Sequence, residues 1–204
     1  MTPPPGKSTS ELTTTAARLI ILARDGVINK LVDGHLHSPD DWLPIEGSLE
    51  AIARLAHAGY RIVIATNEAG IGRKAIDVEV LLAINARMLE AVNDAGGSIE
   101  AVFFCPHAPE DGCDCRKPKP GLLQQIATRL HIDLTDVPVV GDSREDIQAA
   151  QAVGALPVLV LTGDGEHTAE SGTGLFNVAV FDDLASVADA VLAGPYVFGG
   201  DLGE

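Results

Sequence analysis

Five short apolar runs alternate along the chain with longer segments whose apolar residues recur at helical spacing. Runs rich in Val, Ile and Leu are expected of strands that are buried on both faces of a parallel sheet. The predicted strands are Leu19–Leu22, Arg61–Thr66, Ala101–Phe104, Pro138–Gly141 and Leu156–Leu161. This alternation predicts an α/β fold, a Rossmann-like parallel sheet flanked by helices.

The segments between and after these strands carry helix start and stop signals. We predict a first helix that has Ser48 as its N-cap and stops at Gly59, and a second that begins at Asp77 and ends at the Gly96–Gly97 pair. Three further helices are predicted near residues 120–130, 143–154 and 183–192.

The chain shows no internal repeat and no interior linker, which predicts one domain over residues 18–194. Residues 1–17 are rich in Pro, Ser and Thr and lack a core pattern, so we expect a mobile N-terminal tail. Residues 195–204 are expected to form a C-terminal tail.

The composition limits the kinds of molecule that the protein is expected to bind. The 204 residues carry a formal charge of −15 and a pI near 4.6, which argues against nucleic acid and anionic membranes, because both need a basic surface. No apolar run reaches the ~18 residues of a membrane span. We therefore expect a cytoplasmic protein, and a monomer for so acidic a surface.

Polar residues follow three of the predicted strands. Asp25 follows the first strand, Asn67 the second and Asp142 the fourth. Because parallel strands end at the same edge of a sheet, these loops should meet there. The sequence thus predicts one site assembled from three loops.

A cluster of soft ligands lies after the third strand. Cys105, His107, Cys113 and Cys115 have the spacing Cys-x-His-x5-Cys-x-Cys. Three thiolates and one imidazole form a closed set typical of structural zinc, and the alternative is three ordinary thiols beside an exposed histidine. With four protein ligands, the metal should shape the loop and take no part in chemistry.

Four stretches together resemble the motifs of the haloacid dehalogenase (HAD) superfamily of phosphatases. They are "LIILARDGVIN", "IVIATNEAGIGR", "CRKPKPG" and "VVGDSREDIQAA". Within it, the chain resembles the D-glycero-D-manno-heptose 1,7-bisphosphate 7-phosphatases, which supply heptose for lipopolysaccharide. The histidinol-phosphate phosphatases, with a similar zinc loop, are the nearest alternative. The resemblance implies a Mg²⁺-dependent phosphatase of a small phosphosugar.

The resemblance also implies roles for the acidic residues. An aspartate at position 23 would be the nucleophile and a magnesium ligand, but this chain has Ala23. Asp25 matches the acid/base, and its carbonyl would bind magnesium. Asp142 matches the metal-binding acid, with Asp146 steadying the site, although that pair alone also fits an ordinary helix N-terminus.

The phosphate-binding groups follow from the same resemblance. Thr66 matches the phosphate-binding hydroxyl, with Asn67 beside it. Lys117 matches the lysine that neutralises the phosphoryl group, and Arg116 is expected to grip the substrate, although both cations could be a solvated turn.

Ala23 leaves two interpretations open, because an alanine cannot form a phospho-enzyme. In the first, it replaces a natural aspartate by engineering in an otherwise complete site. In the second, the chain is a naturally silent relative that binds or regulates. Departures at Glu68 and Ala69, and Lys74 where a glycine is expected, favour the second. A zinc-stabilised interaction module without a small-molecule ligand is a third possibility.

About 40 residues separate the first and second motifs, which leaves no room there for a large cap domain. Loops would then shape the pocket, and His35, His37 and Trp42 are candidates for sugar contacts or for structural roles.

Overall fold

A computed structural model describes residues 18–31 and 36–194. Its six strands form one sheet in the order β3-β2-β1-β4-β5-β6, and every neighbouring pair is parallel. The strands are β1 (Leu19–Leu22), β2 (Arg61–Asn67), β3 (Ala101–Cys105), β4 (Pro138–Gly141), β5 (Leu156–Val160) and β6 (Ala179–Phe181). The predicted α/β fold is confirmed, and the chain order reverses between β1 and β4.

Seven helices connect the strands or follow them in the described part of the chain. They are α1 (Ser48–His57), α2 (Ala69–Gly72), α3 (Val78–Asp94), α4 (Gly121–Leu130), α5 (Arg144–Ala152), α6 (Gly165–Ser171) and α7 (Leu184–Ala193). Three-residue 3₁₀ turns stand at Pro39–Asp41 and Pro109–Asp111. None of these helices is long and apolar enough to cross a membrane.

The sheet separates two apolar cores, as the alternation of side chains along a strand requires. Ile20 and Leu22 of β1 face α1, α3 and α7, whereas Leu19 and Ile21 face α4 and α5. All four side chains are at most 2% exposed. Burial on both faces explains why this strand is a continuous apolar run.

The predicted cap of the first helix is wrong by one residue. The N-cap is Gly47, in the left-handed conformation, and Ser48 is the first helical residue. The Ser48 hydroxyl is buried and donates to the carbonyl of Val27 at 2.8 Å. The serine therefore fastens α1 to the loop after β1. The proposed tails at 1–17 and 195–204 lie outside the described residues.

Candidate active site

The loops after β1, β2 and β4 meet at a cavity of about 300 Å³ at the carboxyl edge of the sheet. The edge where the strand order reverses is the usual place for a site in such folds. The predicted residues that line it are Ala23, Asp25, Thr66, Asn67, Arg116, Lys117 and Asp146, whereas Asp142 is not among the lining residues. Residues up to 123 positions apart in sequence are thus brought to one surface.

Residue 23 lies at the wall of this cavity, directly after β1. The Ala23 amide donates to the Val140 carbonyl at 2.8 Å, so the pairing with β4 continues past the end of the strand. Its side chain is 7% exposed and lines the cavity. The backbone at position 23 is therefore fixed, and the side chain there faces the cavity.

Asp25 is held in place by two neighbours. Arg24 donates from Nε to Oδ1 at 2.9 Å and from Nη2 to Oδ2 at 3.0 Å, and Asn29 Nδ2 donates to Oδ1 at 3.0 Å. Arg24 is only 1% exposed and also donates to Asn85 on α3 at 3.2 Å. A two-pronged guanidinium contact orients a carboxylate well. Arg24, Asn29 and Asn85 were not predicted to take part in the site.

A buried carboxylate lies between the first and second loops. Glu68 is 5% exposed, pairs with Arg24 Nη1 at 2.7 Å and accepts a hydrogen bond from Thr66 Oγ1 at 3.1 Å. Burial raises the pKa of Glu68 above its ordinary value; the Arg24 cation opposes this and the Asp25 charge adds to it. The hydroxyl expected to bind phosphate is therefore occupied by a side chain of the protein.

Lys117 is fixed by three contacts from other elements. Its ammonium, in a residue only 6% exposed, donates to the Ala65 carbonyl at 2.7 Å and pairs with Asp146. The Asn67 side chain bridges its backbone, accepting from the Lys117 amide and donating to its carbonyl, both at 3.1 Å. Asp146 in turn forms a capping box with Ser143 at the start of α5.

Asp142 is enclosed by glycines that leave room for its carboxylate. A Cβ at Gly26 or Gly163 would stand 1.8 Å or 2.1 Å from Asp142 Oδ2, and both glycines have positive φ. Asp142 Oδ2 accepts from the Asp164 amide at 2.9 Å. Burial, with the Asp146 charge second, raises the pKa of Asp142 to about 7. A crowded, desolvated carboxylate of this kind fits a hard divalent cation.

We expect Asp142→Asn to stabilise the metal-free protein. The Asp142 carboxyl has a higher pKa in the folded protein than in the unfolded chain, so between about pH 4 and pH 7 it is protonated only in the folded protein. The free energy of unfolding therefore falls as the pH rises through this range. At pH 8 the neutral amide should therefore raise the free energy of unfolding by about 2 kcal/mol. Thermal unfolding with and without Mg²⁺ measures this, and the variant should lose the stabilisation that Mg²⁺ gives.

The matched control is Asp164→Asn, which removes an exposed acid next to the same site. It should retain the response to Mg²⁺. An Asp142→Asn protein that Mg²⁺ still stabilises to the same extent would contradict the assignment of this carboxylate to the metal.

The four soft ligands converge in the loop after β3, as their spacing predicts. Their ligand atoms all lie within 4.8 Å of one another. Cys115 Sγ stands 3.3 Å from both Cys105 Sγ and His107 Nδ1, and 3.5 Å from Cys113 Sγ. These lengths are close to the roughly 3.8 Å edge of a tetrahedron with Zn–S bonds of ~2.3 Å. The cluster can therefore hold a zinc ion.

The chemistry of the thiols agrees with a metal site. Burial raises the pKa of Cys105 to about 12, so that without a cation this thiol stays protonated. A bound divalent cation is what would hold it as a thiolate.

The Cys/His loop is packed against the loop after β2 and against Arg116. The Glu68 amide donates to the Cys105 carbonyl at 2.8 Å, and Arg116 Nη1 donates to the His107 carbonyl at 3.3 Å. A Cβ at Gly72 of α2 would lie 2.4 Å from the amide nitrogen of Ala108. The Cys/His loop therefore supports both Arg116 and the turn that carries Thr66.

The residues suggested for sugar contacts are separated. Trp42 is 3% exposed in the core beside α1 and α3, and its Nε1 has no partner among the described residues, so the ring is structural. His37 lines a neighbouring cavity of about 600 Å³ together with Lys74, and His35 lies outside the described residues. Lys74 has φ +57°, which explains the expectation of glycine there.

Comparison with known proteins identifies the family of this chain. A family model described as HAD-hydrolase-like matches residues 114–187. The D-glycero-beta-D-manno-heptose-1,7-bisphosphate 7-phosphatase of Pseudomonas aeruginosa is 49% identical over 178 residues, which are 85% of this chain and 97% of that protein.

Two crystal structures of D,D-heptose 1,7-bisphosphate phosphatases share the fold. The Bordetella bronchiseptica enzyme, complexed with magnesium and phosphate, has a TM-score of 0.84 and 47% identity, covering 86% of this chain and 98% of its own. The Burkholderia thailandensis enzyme has a TM-score of 0.71 and 45% identity, covering 87% and 99%. With its motifs, sheet order and identity to these enzymes, the chain belongs to the heptose 1,7-bisphosphate 7-phosphatase family of HAD-like hydrolases.

Proposed function

We propose that this protein is a Mg²⁺-dependent phosphatase scaffold for D-glycero-D-manno-heptose 1,7-bisphosphate, built to remove the 7-phosphate for heptose and lipopolysaccharide precursors. The observation that carries the proposal is the cavity at which Ala23, Asp25, Thr66 and Lys117 meet, in a chain 49% identical to a named member of the family. We place it in the cytoplasm as a monomer. The histidinol-phosphate alternative gains no support from the relatives above.

The arrangement suits transfer of a phosphoryl group. A phosphomonoester dianion repels nucleophiles, so a site must supply positive charge and hold the reacting groups in line. Lys117 supplies a fixed ammonium, and Arg116 lies at the same cavity. Magnesium, held by Asp142 and the Asp25 carbonyl, would neutralise further charge on the phosphate. Thr66 and Asn67 stand at the turn where phosphate oxygens would accept hydrogen bonds.

Asp25 is the candidate general acid and base. An aspartate at position 23 would attack phosphorus, and Asp25 would give its proton to the departing alkoxide and later take one from the hydrolytic water. Arg24 and Asn29 hold the Asp25 carboxylate in one orientation for both steps. Because residue 23 is alanine, we propose that this chain binds substrate without turning it over.

Titration calorimetry with Mg²⁺ tests this proposal on the chain as it stands. We expect heptose 1,7-bisphosphate to bind, with no release of inorganic phosphate, and histidinol phosphate to bind at least about tenfold more weakly. The Lys117→Ala variant is the matched control and should lose most of the affinity, because it removes the buried cation from the cavity.

Two other results have clear meanings. Equal or tighter binding of histidinol phosphate would transfer the assignment to that substrate. No binding of any phosphosugar by the folded, zinc-loaded protein would favour an interaction module in place of an enzyme scaffold.

A further inference from the structure

Glu68 is a buried acid at the cavity that the proposed reaction does not use. Its carboxylate is 5% exposed and lines the same space as Ala23 and Lys117. A buried carboxylate costs free energy unless it is paired, so its presence needs a reason. Arg24 supplies a partner at 2.7 Å, but that arginine is already paired with Asp25.

The contact with Thr66 bears on ligand binding. Thr66 Oγ1 donates its one proton to Glu68 Oε1 at 3.1 Å. A phosphate oxygen that is to accept from this hydroxyl must displace the carboxylate from it. That oxygen would then lie within about 6 Å of Glu68 Oε1, where two negative charges in a poorly hydrated space repel strongly.

The charge count around the cavity points the same way. Arg24 pairs with both Asp25 and Glu68, so these three side chains carry a formal charge of −1, whereas the pair of Lys117 with Asp146 carries none. An aspartate at position 23, which lines the same cavity, would add one negative charge beside this group, and a neutral residue at position 68 would remove one.

We propose that Glu68 sets the affinity of this cavity for phosphate: it occupies the Thr66 hydroxyl, places a negative charge beside the bound dianion, and supplies the charge that Ala23 lacks. Residues 23 and 68 are then coupled through the charge of the site. This inference rests on the proposed function, since it concerns the same phosphate subsite.

Calorimetry with inorganic phosphate in the presence of Mg²⁺ tests the inference without catalysis. Glu68→Gln keeps the shape of the side chain and removes the charge, so we expect phosphate to bind at least about tenfold more tightly. The matched control is Glu145→Gln, which removes an acid from the same cavity wall where it is exposed to water. That variant should change the dissociation constant by less than about twofold.

A second comparison uses turnover in the Ala23→Asp background. There, Glu68→Gln should lower KM for the heptose bisphosphate by at least about fivefold and change kcat less, because it acts on binding of the phosphate. A purely structural role for Glu68 would instead lower kcat and the melting temperature together. If the Glu68→Gln variant does not fold, as judged by circular dichroism, Glu68→Ala, which also frees Thr66, replaces it in both measurements.

The outcomes separate this inference from the function it rests on. Equal phosphate affinity of the unsubstituted chain and the Glu68→Gln variant would overturn the role of Glu68 and leave the phosphatase assignment standing. Phosphate binding by neither protein, with both folded and zinc-loaded, would overturn the proposed function itself.

Discussion

The Ala23→Asp variant should release phosphate from heptose 1,7-bisphosphate at a kcat at least about 10⁴-fold above that of the present chain, since loss of a catalytic nucleophile costs on the order of 10⁴- to 10⁶-fold. The backbone at position 23 is fixed by the bond to Val140, and the side chain faces the cavity. We expect a carboxylate at this position to attack phosphorus and to contact magnesium. Phosphate release at saturating substrate, with Mg²⁺ present, measures the change.

The matched control for this prediction is Ala23→Asn. Asparagine has almost the shape of aspartate but lacks the nucleophilic carboxylate, so it should leave the protein inactive. Comparable turnover by the chain with Ala23 would show that the nucleophile lies elsewhere. An inactive Ala23→Asp protein that is folded and carries zinc would show that more than residue 23 is missing from the site.

The sheet could be predicted because its signals are local. The bounds of β1 and β4 agree with the predicted runs, since strands buried on both faces have little but apolar residues between their turns. β6 was not predicted, because it has only three residues at the edge of the sheet, one of them exposed, and these leave no periodic pattern. The short helices α2 and α6 were missed for the same reason.

The candidate site, too, could be predicted only in part. The approach of Asp25 and Thr66 followed from their positions at the ends of parallel strands, that of Lys117 from the family resemblance, and the clustering of the Cys/His ligands from their spacing. The pairing of Arg24 with Glu68 could not be predicted, because it joins two loops through side-chain directions that only the packed structure fixes. The burial of Trp42 depended in the same way on where α3 packs.

Zinc is expected to be required for the site as well as for the loop that binds it. The Cys113→Ser variant should lose the zinc ion and lower the free energy of unfolding by about 3 kcal/mol or more, since structural zinc contributes directly to folding. Cys113 is only partly buried, so that serine adds little cost of its own. The expected fall in melting temperature is about 6–12 °C for a domain of this size.

Turnover should fall further than stability alone would require. The Cys/His loop holds the Glu68 amide through Cys105 and the Arg116 guanidinium through His107, and it leads directly into Lys117. A shift of about 1 Å in such groups costs on the order of 100-fold in rate. In the Ala23→Asp background we therefore expect kcat/KM of Cys113→Ser to drop at least about 100-fold at a temperature where the protein stays folded.

Metal content, melting temperature and turnover should be measured together on Cys113→Ser and on its neighbour control, Asp114→Asn. The Asp114 side chain is 98% exposed and pairs with Lys119 on the surface, so its loss should leave zinc, stability and rate almost unchanged. Full activity in a zinc-free Cys113→Ser protein would show that the metal shapes the loop alone. Because Mg²⁺ is supplied in every assay, any deficit of the variant belongs to the soft-ligand site and not to the magnesium site proposed around Asp142.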